Sequence, residues 1–243
     1  MRDIDNTLDL VIDREMKRVV WLTSLLAGVS LALNLYLYQH LDYYKKTEGK
    51  FKVREVLDGD TLVIDLGQAV RLNNVDAPAL DLCYGKEAKD NLEKLVLGRY
   101  VRIESTTKDK FGRTLGKVYL DEELVNETIT RNGWAKYSTG IPADEAREKI
   151  KKGVEEAKEK GLGVWSPRCY QTENLEKPEC SIKGNIGKSD GKKIYHFPGC
   201  NEYERTVVEL DQGEQWFCTE EEALKAGYVK SEHCHGKAVG LYD

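Results

Sequence analysis

The chain of 243 residues has little net charge of either sign: 37 Lys and Arg stand against 42 Asp and Glu, a formal balance of −5. No global basic field therefore announces a nucleic-acid partner, and any attraction for a polyanion must come from local placement. The sequence has no cysteine before Cys83, no internal repeat and no low-complexity tract, which excludes solenoid and collagen-like architectures. Residues 19–38, "VVWLTSLLAGVSLALNLYLY", carry no charge over a run of 20, and no small-x-small cleavage site follows them. A helix of that length crosses a hydrocarbon core of about 30 Å. The missing cleavage site argues against a removed leader and for a retained anchor.

The charge that is present is uneven. Lys+Arg against Asp+Glu count 6 to 7 over residues 1–49, 22 to 21 over 50–168 and 9 to 14 over 169–243. Trp21 near one end of the apolar run, and Tyr36, Tyr38, Tyr43 and Tyr44 near the other, match interfacial aromatic belts. Basic residues flank both ends, so the positive-inside rule hardly sets the orientation. All six cysteines (Cys83, Cys169, Cys180, Cys200, Cys218 and Cys234) follow the run, and an even set confined to one side points to an oxidising compartment there. The expected order is a cytoplasmic tail (1–18), a transmembrane anchor (19–40), a linker (41–49), a main extracytoplasmic domain (50–168), a second linker (169–179) and a small carboxyl-terminal domain (180–243).

Within the main domain, "FKVREVLDGDTLVIDLGQAVRLNNV" alternates apolar and polar residues around turn signals at Asp58-Gly59 and Leu66-Gly67, predicting three antiparallel strands. Helical spacing of Ala88, Leu92, Leu95 and Val96 predicts a helix over 84–97. Strands at 100–106 and 114–120 follow, joined by "TKDKFGR", and then helical stretches at 123–132 and 142–160, with Gly161 as a stop signal. Five strands with inserted and trailing helices predict an α+β chain built on a five-stranded OB-type β-barrel, preceded by one transmembrane helix and followed by a small cysteine-containing α+β domain. That last segment is too small for a large core and needs covalent staples.

Four short elements carry the chemistry: "DGDT" at 58–61, "VRLNNVDAP" at 70–78, "YGKEA" at 84–88 and "DKFGR" at 109–113, closed by "GLGVWS" at 161–166. In this order and spacing they resemble the staphylococcal-nuclease-like (thermonuclease) family over roughly residues 50–168. Phosphodiester cleavage needs stabilisation of charge developing on phosphoryl oxygens, which a carboxylate-held hard cation and planar guanidinium groups provide. The resemblance implies Asp60 and Asp76 as Ca2+ ligands, completed by a backbone carbonyl such as that of Ala77, and Arg71 and Arg113 as the phosphate-binding arginines. Lys108 and Lys110 would help hold a DNA or RNA backbone. The family's general base, a glutamate directly after the proline, falls on Ala79, and a methyl group takes no proton from water. Asp81 in the same loop is the preferred substitute, with Glu87 behind it. Taken singly, Asp58 and Asp60 read as turn-shaping residues, Arg71 as a solvated strand residue, and Gly85 and Gly112 as ordinary loop glycines.

The carboxyl-terminal motifs "IYHFPGC" and "AGYVKSEHC" resemble the small metal-binding domain of the Ada DNA-repair protein and its sunset-type relatives. Ser231 stands where a Cys-x-x-Cys pair would begin, so Zn2+ bound by Cys180, Cys200, Cys218, Cys234 and His196 competes with disulfide bonding, which an external location favours. The expected pairs are Cys83 with Cys169, clipping the end of the main domain to the site loop, then Cys200 with Cys234 and Cys180 with Cys218. The sequence thus predicts a membrane-anchored, calcium-dependent nuclease. Its rivals are a non-catalytic nucleic-acid-binding module of the same fold, and an envelope interaction protein whose acidic terminal domain matters most.

Overall fold

The computed structural model describes residues 2–47, 49–139 and 144–236. The chain divides into two units, Met1–Gly49 and Lys50–Asp243. The first is a single helix, α1 (Arg2–Thr47). It continues through both the expected tail and the expected linker, since residues 2–47 contain no proline and a single glycine, Gly28. Its segment Met16–Gln39, with mean hydropathy 1.7, is long and apolar enough to cross a membrane, and none of the apolar window is buried within the protein. Three polar side chains in this segment are satisfied locally. Thr23 and Ser24 donate to the Val20 carbonyl at 2.9 and 2.8 Å, and Asn34 Nδ2 donates to the Ser30 carbonyl at 2.8 Å. A helix that meets its own hydrogen-bonding needs is the form hydrocarbon permits.

The second unit begins with the barrel. Strands β1 (Phe51–Asp58), β2 (Thr61–Ile64) and β3 (Ala69–Leu72) form an antiparallel meander, and Gly67 takes φ 71 in the second turn. A two-residue strand β4 (Val75–Asp76) leads into the loop before helix α2 (Gly85–Val96). Strands β5 (Tyr100–Lys108) and β6 (Thr114–Leu120) form a long hairpin; β5 pairs with β1, and β6 pairs parallel with β3 to close the barrel. Inward positions carry Val53, Val56, Leu62, Val70, Leu72, Val101 and Val118, all buried, and Leu92 and Val96 of α2 join this core. Alternation fills the barrel in β3 and β6, whereas in β1 register shifts let Val53 and Val56, three residues apart, both be buried.

A short strand β7 (Glu123–Leu124) precedes helix α3 (Val125–Arg131), where the sequence alone predicts helix throughout. Pairing of Leu124 with Tyr119 and Glu123 with Leu120 accounts for the difference, because the hairpin uses those backbone groups before the helix starts. Strand β8 (Lys136–Tyr137) pairs with β4, and helix α4 (Glu145–Glu159) starts at Asp144, whose side chain accepts from the Arg147 N–H. Residues 142–143 of the expected helix lie outside the described residues.

Strand β9 (Tyr170–Gln171) pairs with β12 (Val208–Glu209), so the expected second linker contributes to a small sheet. Strands β10 (Ile182–Ile186), β11 (Lys193–His196), β13 (Gln215–Phe217) and β14 (Val229–Lys230) form a second sheet in the order β13-β10-β11-β14, flanked by helix α5 (Glu220–Lys225). Ile182, Tyr195, Phe197, Phe217, Ala223 and Tyr228 make its core. Cys180 is bonded to Cys218 and Cys200 to Cys234. All six cysteines are disulfide-bonded, so the zinc alternative is corrected here: the four sulfurs that would have joined His196 as ligands are consumed. His196 is buried with Nδ1 unpartnered, and that burial lowers its pKa below the usual histidine value.

Candidate active site

The site forms where the ends of the meander meet the loop that enters α2. Asp60 lies in the β1–β2 turn and is 1% exposed, although its carboxylate has no apolar role. Arg71 of β3 explains how such burial is tolerated. Its two terminal nitrogens reach Asp60 Oδ1 at 2.6 Å and Asp76 Oδ1 at 2.8 Å, so one guanidinium bridges both carboxylates. Thr61 Oγ1 donates to Asp60 Oδ1 and the Ala77 N–H to Asp60 Oδ2, each at 2.9 Å. Asp58 accepts the Asp60 N–H at 3.0 Å, and its charge faces Asp60. Burial pushes the Asp60 carboxyl up to about 7, opposed by Arg71 and reinforced by Asp58. The Asp76 side chain, 44% exposed, opens the pocket to solvent.

The structure thus brings together Asp60, Asp76, Arg71 and the backbone of Ala77. Arg113 directly precedes β6, the strand that pairs with β3, where Arg71 is register partner to Leu115; its side chain is engaged within its own turn. Arg113 is held from its own turn: Asp109 Oδ2 accepts from Nε at 2.7 Å, and Asp109 Oδ1 accepts the Arg113 backbone N–H at 2.9 Å. Arg113 is in turn set against the Phe111 ring, 5.4 Å from its centroid, with Lys110 Nζ 5.0 Å away. Phe111 itself is 72% exposed, an aromatic ring beside two cations that no motif in the sequence singles out. Lys108 and Lys110 are exposed at the base and tip of the same turn.

Backbone geometry fixes the loop between these groups. Its flanking residues Asn74 and Tyr84 take left-handed conformations, φ 59 and φ 67. Asn74 Nδ2 donates to the Ser138 carbonyl at 3.2 Å, while buried Asn126 donates to the Asn73 and Gly116 carbonyls and accepts from the Val118 N–H. Gly59 and Gly85 are required by close approach rather than by turn chemistry. A Cβ on Gly59 would lie 2.7 Å from both the Ala77 and Ala88 methyl groups, and one on Gly85 would collide with the Ala79 carbonyl. Ala79 and Asp81 are both exposed on this loop. Glu87 is engaged with Arg168 at 2.5 Å, and that hydrogen bond lowers its pKa, so the second candidate base is tied away as an ion pair. Cys83 is bonded to Cys169, with their Cα atoms 5.7 Å apart.

Could these residues hold a cation? Every donor is a hard oxygen, which suits calcium rather than zinc. Asp60 and Asp76 are linked through one arginine, and a cation beside Asp60 would favour the charged carboxylate over the neutral form that burial favours. Among the described residues no three ligating side chains cluster, so protein atoms alone supply two carboxylates and leave the rest of a coordination shell to backbone oxygen and water. The residues fit a weakly held hard cation.

Comparison with known proteins points the same way. Residues 69–167 match the family described as staphylococcal nuclease homologue. Over 126 residues the chain is 35% identical to a thermonuclease of Staphylococcus intermedius, covering 47% of this chain and 75% of that protein. It is 34% identical over 119 residues to an uncharacterized endonuclease of Escherichia coli O157:H7, covering 47% of this chain and 76% of that protein. Against the staphylococcal-like nuclease CAN1 of Arabidopsis thaliana it is 33% identical over 109 residues, 45% of this chain and 31% of that protein.

Proposed function

The chain belongs to the family of staphylococcal nuclease homologues, and from that premise we propose that it is a membrane-anchored, extracytoplasmic, calcium-dependent endonuclease that hydrolyses DNA or RNA phosphodiester bonds. The observation that carries the reading is the single guanidinium of Arg71 spanning Asp60 and Asp76. Two fixed carboxylates beside a fixed guanidinium, with Arg113 on the adjoining segment, form an electrostatic mould for a charged phosphoryl group. Calcium bound to Asp60 and Asp76 would add positive charge where negative charge develops on the phosphoryl oxygens. Arg71 and Arg113 would bind those oxygens, Lys108 and Lys110 the flanking phosphates, and Phe111 would offer its open ring to an unstacked base.

Location follows from two supports. The apolar segment of α1 is long enough to anchor the chain, and the three disulfides beyond it suit an oxidising compartment. Asp81, exposed in the site loop, is the group proposed to activate water in place of a glutamate at Ala79.

A second reading rests on Ala79 itself: the same cradle without a base would be a nucleic-acid-binding module. Incubating the detergent-solubilised full chain with single-stranded DNA separates the two. Calcium should support digestion and a chelator should stop it. A salt-sensitive gel shift without any digestion would instead establish the binding module.

A further inference from the structure

We propose that the carboxyl-terminal segment, residues 180–236, is a brace that sets the position of the site loop, and that Lys136 is its positioning residue. Lys136 has two faces. Its backbone pairs with Asp76, one of the two site carboxylates, in the β4–β8 ladder. Its side chain leaves the barrel and is buried in the carboxyl-terminal segment, with Nζ 3.0 Å from Glu209 Oε2 and 2.8 Å from Asp211 Oδ2. Lys136 is 7% exposed, Glu209 9% and Asp211 1%. The rings of Trp165 and Tyr170 cover the ammonium at 4.9 and 5.8 Å.

Both carboxylates are themselves held. Lys188 Nζ donates to Glu209 Oε1 at 3.4 Å, the Glu209 backbone N–H donates to Glu214 Oε2 at 2.8 Å, and β12, which carries Glu209, is paired with β9 directly after Cys169. Gln212 Nε2 donates to Asp211 Oδ2 at 3.1 Å. A dry ion triad of this kind is a poor source of net stability, because desolvation consumes much of the attraction, but it is directional and fixes register. One more link reaches the opposite end of the same loop: Cys83 is bonded to Cys169, whose carbonyl accepts the Leu210 N–H at 2.8 Å. The loop between Asp76 and Tyr84 is thus attached at one end through Lys136 and at the other through Cys83. Both attachments lead to residues beyond the nuclease motifs. A barrel alone would leave both ends of that loop without these restraints.

The inference rests on the nuclease reading for its kinetic arm only. In the full chain, Lys136→Met keeps the length of the side chain and removes the charge. With calcium and DNA, kcat should fall by about ten- to a hundredfold, the scale that a misplaced catalytic group produces, while KM for DNA stays within about twofold. In the absence of substrate, backbone hydrogen exchange at Ala77 and Leu82 should accelerate at least about tenfold, with the β5–β6 hairpin unchanged. Asp211→Asn serves the same purpose if Lys136→Met does not fold. Unchanged exchange in residues 77–84, with the variant folded, would overturn the brace. If the parent cuts nothing, the nuclease reading fails and the exchange result still decides the brace.

Discussion

Replacing Arg71 with glutamine should lower calcium-dependent cleavage by about a hundred- to a thousandfold, the usual cost of removing one preorganised charge-stabilising group. The expectation follows from its double duty. Among the described residues Arg71 is the sole side chain bridging Asp60 and Asp76, so its loss removes a phosphate ligand and lets the two carboxylates repel each other. Asp60, already pushed up to about 7 by burial, would lose its nearest cation and retain its proton more firmly. Circular dichroism should still report a folded barrel, because Val70 and Leu72 on either side point into the core and are untouched. Arg71→Lys should recover only part of the rate, since an ammonium cannot span both carboxylates in one plane. A folded Arg71→Gln variant that cuts as fast as its parent would remove Arg71 from the site.

The second large effect runs in the opposite direction. In an Asp81→Ala background, Ala79→Glu should raise calcium-dependent cleavage by about ten- to a thousandfold, the contribution of a positioned general base. Ala79 is exposed and its carbonyl accepts the Leu82 N–H at 2.9 Å, so the turn is set by backbone and tolerates a longer side chain. Affinity for nucleic acid should hardly move, because the new carboxylate meets water rather than phosphate. The companion variant Asp81→Ala locates any base the chain already has. If Asp81 serves, its loss abolishes most activity and Ala79→Glu gains little in the parent. If only Ala79→Glu has an effect, the wild-type chain works without a base. Glu87 is a weaker substitute than sequence position suggests, since its carboxylate is bound to Arg168.

The barrel was legible because its signals are local. Period-two alternation in 69–72 and 114–120 and glycine turns sit within a few residues of what they specify. The acids and arginines of the site were legible for a different reason, since each lies in a short motif with its own spacing. What the sequence concealed depends on distant partners. Nothing near Lys136 announces that it will be buried between Glu209 and Asp211, 73 and 75 residues away. Gly59 and Gly85 read as turn glycines, yet their role is to let α2 and the site loop approach each other closely. Phe111 was visible inside "DKFGR", and its ring between Lys110 and Arg113 could have been inferred from the turn. The extension of α1 past both ends of the apolar run is open to propensity reasoning, since its polar flanks contain no helix breaker before Gly49, Gly28 lying within the apolar run.

Calorimetric titration of calcium into the full chain with a non-cleavable oligonucleotide, repeated on Asp76→Ala, tests most directly whether the two carboxylates and the arginine form a metal and phosphate cradle. The parent should bind one ion in the micromolar-to-millimolar range, as suits two carboxylates with one of them half exposed, and the variant should lose that heat. Superimposable titrations for the two proteins would contradict the account.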